Sequence, residues 1–200
     1  GGGGAMTRAL TIGTGLLLAA VLGMGAYFYS LRRNERARAQ NLPDTRPISA
    51  PVTGPASRVT LYLAYDDPGV VRPEEVSIAL PADPAERGRE ILHALVGEYV
   101  KRPSGHELPA GADVKDVFLV DESTAVVDTT AALAEGHRSG ILVETLTVAS
   151  LVKTLTANLP GITRVKILVD GKERETLAGH ADLDCFYDVV TVEQLLEQLR

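Results

Sequence analysis

Residues 152–180 read VKTLTANLPGITRVKILVDGKERETLAGH, and this run decides the fold class. Its first residues finish a helical pattern. Asn158-Leu159-Pro160-Gly161 stops that helix, because Pro lacks the backbone N–H and Gly suits the residue just past a helix end. Val165, Ile167 and Val169 then alternate with Arg164, Lys166 and Leu168, the period-two pattern of a strand. Asp170-Gly171 is hairpin chemistry, since a type I′ turn needs positive φ at both central residues. It predicts a further strand over 172–177.

Upstream, Leu142, Leu146, Ala149, Val152 and Leu155 form one apolar side of a helix that Ser139 is placed to cap. Ahead of it, 115–120 and 124–128 flank Asp121-Glu122-Ser123 as a second hairpin. Pro84, after Asp83, opens an amphipathic helix over 84–100 that carries Ile91, Leu92, Leu95, Val96 and Tyr99. Val59, Leu61 and Leu63 alternate as a strand, Asp67-Pro68-Gly69 is a turn, and 76–80 predicts a short second strand. Past 188, Thr191 with Gln194 reads as a capping box for an amphipathic helix over 189–200. Val192, Leu195, Leu196 and Leu199 line its apolar side. The order ββ-α-ββ-α-ββ plus a C-terminal helix predicts an α+β domain over 58–188. It should be a mostly antiparallel sheet with two long helices packed on one face.

The N-terminal part is different. Residues 1–8 are a short tail, in which Gly1 to Ala5 read as a cloning remnant ahead of Met6. Ala9 to Leu31 contains no charge; at about 1.5 Å per residue this helix would cross a hydrocarbon core of about 30 Å. Ala37-Arg38-Ala39 has the small-x-small form of a cleavage site, but four Arg precede or occupy it and the apolar run exceeds a signal h-region. A retained anchor is therefore the expectation. The Arg- and Pro-rich linker 32–57 carries Pro43, Pro47, Pro51 and Pro55, which favour an extended tether. Arg32, Arg33, Arg36 and Arg38 follow the apolar run while Arg8 alone precedes it, so the charge rule read strictly places the C-terminal domain in the cytoplasm.

Charge narrows the partners. Residues 1–57 hold six Arg against Glu35 and Asp44, a net +4; the remaining 14 basic and 24 acidic groups give 58–200 a net −10. A surface of that sign does not suit nucleic acid. Cys185 is the single cysteine of the chain, which excludes an internal disulfide and a multi-thiolate metal site.

The 152–180 run resembles the end of the GerMN domain, a family named for bacterial sporulation and germination. Leu108-Pro109-Ala110-Gly111 ahead of the 114–128 hairpin, Thr154-Leu155-Thr156, Pro160-Gly161, Asp170-Gly171-Lys172 and Gly179-His180 carry the likeness in order, over 58–187. The resemblance implies a non-catalytic, membrane-tethered extracytoplasmic module, similar to the ring-building folds of secretion machines and assembling in the cell envelope. It opposes the charge rule, and the short tail gives that rule little to compare. The chain departs from the family in holding one copy, an expected transmembrane anchor and an added C-terminal helix.

No cofactor, metal centre or catalytic motif is expected. His180, Asp182 and Asp184, with Asp188 nearby, form the one dense polar cluster; imidazole beside carboxylates suits a divalent metal or general acid–base work, against a plain reading as turn-capping groups. His93 reads as a helix-edge residue, and His106 and His137 as loop residues without neighbouring partners. Thr145, Thr147, Thr154 and Thr156 are surface or a partner face, and Cys185 a small core residue. The segment 136–140 ahead of a helix is a weak anion site. Val192, Leu195, Leu196 and Leu199 either dock on the domain's own core or offer a partner face. The functional expectation is an assembly or interaction module in the bacterial envelope. Its rivals are a module binding a cell-wall fragment and a hydrolase built on His180, Asp182 and Asp184.

Overall fold

The computed structural model describes residues 54–198. The expected transmembrane helix 9–31, the tail 1–8 and most of the linker 32–57 lie outside those residues. Among the described residues no helix is long and apolar enough to cross a membrane.

Strands β1 (Ala56–Tyr65) and β2 (Val70–Ala79) pair antiparallel from Ala56↔Ala79 to Tyr65↔Val70. The second strand therefore begins six residues before the expected 76–80. Its first half opens with the adjacent pair Val70-Val71 and continues through the exposed Arg72 to Glu75 without alternation, so backbone pairing with β1 defines it. Pro73 sits opposite Tyr62, whose N–H and C=O point away from β2 toward helix side chains. The missing proline donor thus costs no ladder bond.

Helix α1 (Pro84–Val100) starts as expected: Asp83 Oδ1 accepts from the N–H groups of Ala85 and Glu86, both at 2.9 Å. Its inward stripe of Ile91, Leu92 and Leu95 is fully buried, each such side chain contributing roughly 1.5–3 kcal/mol. Strands β3 (Val114–Leu119) and β4 (Thr124–Thr129) form the second hairpin, with a bulge between Val114 and Asp116. A short helix α2 (Ala131–Glu135), too brief to show a period, precedes helix α3 (Ile141–Asn158). Strand β5 (Arg164–Val169) and helix α4 (Val189–Gln198) complete the order.

Two expectations about the sheet are corrected. Among the described residues there are two sheets, β1-β2 and β3-β4-β5, and β5 runs parallel to β4, not antiparallel. A strand followed by a helix delivers the next strand in the same direction, which a tight turn cannot do. Also, 172–177 is not a strand. The Asp170-Gly171 turn forms, with φ of 53° and 72°, but the return leg pairs only at Val169↔Lys172. Asp128 Oδ1 holds the turn by accepting from Gly171 N at 2.6 Å, and the polar Lys172–Thr176 run has no apolar face to bury.

The two long helices meet over one face of the three-stranded sheet. A Cβ placed on Gly88 of α1 would lie 3.0 Å from Leu159, 3.1 Å from Leu155 of α3 and 3.3 Å from Val117 of β3. Val117, Val127, Ile167, Ala125 and Val165 point to this side and are buried. Helix α4 docks Val192 into the same core. Its cap differs from the expected Thr191: Asp188 Oδ1 accepts from Thr191 N at 2.7 Å, so the helix starts earlier.

Candidate functional site

Helix α3 carries Glu144, Thr147, Ser150, Thr154 and Asn158 at intervals of three or four residues, a polar stripe beside its apolar one. All but the last are buried. Of the threonines read as surface or a partner face, Thr145, Thr147 and Thr154 are buried within the domain and Thr156 is half-buried. The stripe meets β1 along the edge that β2 leaves open. Thr154 Oγ1 accepts from Tyr62 N at 2.9 Å, Asn158 Oδ1 accepts from Thr60 N at 3.0 Å and its Nδ2 donates to Thr60 O at 2.7 Å. Ser150 Oγ donates to Tyr62 O at 2.6 Å, and Tyr99 of α1 accepts from Ala64 N. Side chains of two helices thus bond the strand's outward backbone groups from Thr60 to Ala64, which closes that stretch of edge to strand addition.

Glu144 begins this stripe and is fully buried. Its Oε2 accepts from the N–H groups of Ala178, His180 and Ala181 at 2.9–3.0 Å. Its Oε1 accepts from Gly140 N at 3.0 Å and meets His180 Nδ1 at 2.9 Å. Burial pushes this carboxyl up, but the donors of Gly140, Ala181 and His180 outweigh it and bring its pKa down to about 2. Glu144 therefore occupies the N-terminal end of α3 as its own anion, in place of an outside ligand at 136–140. Ser139 does not cap this helix; its hydroxyl lies 3.4 Å from His180 Nδ1, and Gly140 stands at the cap position.

The sequence cluster of His180, Asp182 and Asp184 is spread over separate tasks. His180 turns to Glu144, Asp182 Oδ1 accepts from Asp184 N at 2.7 Å, and Asp188 caps α4. Among the described residues no group of three or more His, Cys, Asp or Glu side chains is placed to hold a metal. Cys185 is half-buried at the margin of the core.

His106 and His137, read as loop residues without partners nearby in sequence, come together around Thr147. Both Nε2 atoms lie 2.7 Å from Thr147 Oγ1. His106 Nδ1 is 2.7 Å from Asp66 Oδ1, and His137 Nδ1 is 2.7 Å from the Arg138 carbonyl. The Arg138 guanidinium returns to Asp66 Oδ2 and closes a ring. These partners stand 41 and 40 residues from His106, beyond any local sequence signal. His93, by contrast, is an exposed helix-edge residue paired with Asp113 at 2.6 Å.

Two surfaces remain. Phe118, Val126 and Lys166 form a row across the outer side of the β3-β4-β5 sheet. There Phe118, Val120 and Phe186 are 52%, 64% and 44% exposed, and the Arg164 guanidinium lies 4.7 Å above the Phe186 ring. A cleft of about 690 Å³ opens between α3, β5 and α4, lined by Tyr62, Lys153, Thr163, Arg164, Asp188 and Glu193. On α4, Val192 is buried and Leu195 and Leu196 pack partly against the core. Leu199 lies outside the described residues, and Val190 is the exposed apolar residue, at 63%.

A search of curated proteins gives no match. Among solved structures, the first GerMN domain of the sporulation protein GerM from Bacillus subtilis is similar at 20% identity and a TM-score of 0.45, over 64% of this chain and 92% of that one. The tandem GerMN domains of the same protein give 19% and 0.47, over 64% and 44%. A chain described as a candidate lipoprotein of Clostridium perfringens gives 16% and 0.41, over 70% and 92%. The family profile described as Germane, sporulation and spore germination, matches residues 60–175. That match runs from within β1 through β5 and the turn after it, more than half of the chain, so the chain belongs to the Germane, or GerMN, family.

Proposed function

We propose that this chain is a non-catalytic module of the bacterial cell envelope that acts by protein–protein assembly. The observation that carries the reading is the outer sheet face. It leaves Phe118, Val120 and Phe186 open, whereas the titratable cluster of His180, Asp182 and Asp184 is given over to turns and to Glu144. Exposed apolar residues gathered on one sheet face favour association. The uncharged 9–31 segment, as a membrane anchor, would confine copies to one plane and raise their effective concentration. Membership of a sporulation and germination family is in keeping with this role.

The test uses the full chain in bacterial membranes with amine-reactive cross-linking. The parent is expected to cross-link to further copies or to an envelope protein, and Phe118→Glu with Val120→Lys is expected to abolish the products. A variant that cross-links like the parent overturns the reading. A C-terminal reporter active only outside the cytoplasm checks the location; its silence would overturn the extracytoplasmic part.

A second reading, a binding module for a cell-wall fragment, draws on the cleft. Lys153 and Arg164 stand on its walls with Glu193 and Asp188, a pairing of signs suited to a zwitterionic peptide fragment. Saturable binding of soluble muropeptide, lost in Arg164→Ala, would favour it.

A further inference from the structure

The ring around Thr147 does not close on neutral histidines, and the reason is a count of protons. The partner of His106 Nδ1 is a carboxylate oxygen, and that of His137 Nδ1 is a carbonyl oxygen. Neither partner has a hydrogen to give, so both rings hold theirs on Nδ1. A neutral imidazole has one N–H, which leaves both Nε2 atoms as bare acceptors. Each lies 2.7 Å from Thr147 Oγ1, and that hydroxyl has one hydrogen, for which the Val143 carbonyl at 3.1 Å also competes. With two neutral rings, one of these contacts sets lone pair against lone pair.

One added proton resolves the conflict. The Nε2–H it creates donates to Thr147 Oγ1, and the hydroxyl hydrogen turns from the Val143 carbonyl at 3.1 Å to the other Nε2 at 2.7 Å. A second added proton would place two cations with ring centroids 6.2 Å apart, which their repulsion disfavours. His106 is the better seat for the single charge. Its Nδ1 faces the Asp66 carboxylate, whereas His137 faces a neutral carbonyl.

We propose that Asp66, His106, Thr147, His137 and Arg138 form a proton-operated clasp, complete only with one extra proton on His106. It joins the β1–β2 turn, the 101–113 loop and the 136–140 segment to α3, and it tightens as pH falls.

The charged groups facing the clasp are known from each packed element. The β1–β2 turn brings Asp66, the 136–140 segment brings Arg138 onto Asp66, and α3 brings Glu144 on the His137 side. Helix α1 brings Tyr99, edge-on to His106 at 4.9 Å, which burial keeps protonated. Glu144, with its pKa near 2, stays ionised throughout. Burial works the other way, pushing both histidines below the usual range. The sign follows from linkage: if the closed clasp holds its proton more firmly than the open one, acid closes it. Asp66 alone does not outweigh burial at His106, so closure by acid requires the relief of the conflict at Thr147 to reverse that balance.

The experiment is hydrogen exchange of the full chain at pH 7.5 and 5.5, corrected for intrinsic rates. It follows peptides over 103–111 and 136–140 in the parent, in Thr147→Val and in His180→Gln. Expected is about a tenfold gain in protection at the lower pH, the weight of one buried hydrogen bond. The gain should persist in His180→Gln, which removes the neighbouring imidazole, and vanish in Thr147→Val. Unchanged or lower protection in the parent overturns the proposal, as does a gain that survives Thr147→Val. Long-range imidazole ¹H–¹⁵N spectra of the parent give a second readout that needs no variant. At pH 7.5 any neutral form of either ring must carry its proton on Nδ1, and a neutral Nε2–H form on either ring overturns the inference.

Discussion

Replacing Glu144 with Gln tests the buried carboxylate most directly. A carboxyl held near 2 instead of 4.5 corresponds to about 3 kcal/mol of stability at neutral pH. The structure shows why an amide cannot substitute. Oε2 receives three backbone N–H groups, so the amide oxygen must take that position. The NH2 then faces Gly140 N–H, donor against donor, while His180 can adapt by changing tautomer. Because the folded value is depressed, the contribution is complete above about pH 4.5 and lost as pH falls toward 2. Urea unfolding followed by circular dichroism should therefore place Glu144→Gln about 3 kcal/mol below the parent at pH 7, with the gap narrowing steadily as pH falls through that window. Thermal midpoints should differ by roughly 6–12 °C at neutral pH. A gap under about 1 kcal/mol, or one that does not vary with pH, would refute the account of Glu144 as an ionised, donor-wrapped anchor.

Two further substitutions probe how the helices hold the rest. Thr154→Val keeps the shape of the side chain but strips Tyr62 N–H of its acceptor; a loss of about 1–3 kcal/mol in urea unfolding is expected, and no loss would mean that this bond is replaced by water. Gly88→Leu drives a side chain into Leu155, Leu159 and Val117, which an added Cβ alone approaches to 3.0–3.3 Å. It should cost about 1–3 kcal/mol or more from overpacking, and a variant as stable as the parent would show that α1 and α3 can part freely.

What the sequence reveals here depends on how far apart the cause and its effect lie along the chain. Asp83 and Pro84 declare the start of α1 because a cap acts over two or three residues. Asp170-Gly171 declares its turn for the same reason. The direction of β5 is not local. The same Asp-Gly signal invites a following strand, while the parallel pairing with β4 comes from the crossover through α3. The inward threonines were hidden more deeply. Their apolar neighbours give α3 a clear face, but the groups that Thr154 and Asn158 satisfy lie 92 and 98 residues upstream. A polar stripe without a visible target looks the same as a wet surface. The His180 cluster illustrates the opposite error, in which nearness in sequence suggests convergence that the turns at 178–184 pull apart.

The union of β1 with α3 has a consequence for how the protein is made. Thr60 and Tyr62 emerge in synthesis 88–98 residues before the α3 side chains that bond their backbone. For most of that interval β2 alone covers the strand, and a lone two-stranded hairpin is marginal in water. The nascent chain therefore carries an adhesive edge until α3 has been added, and closure over such a separation is intrinsically slow. A chaperone that binds extended strands would meet β1 before the domain could shield it.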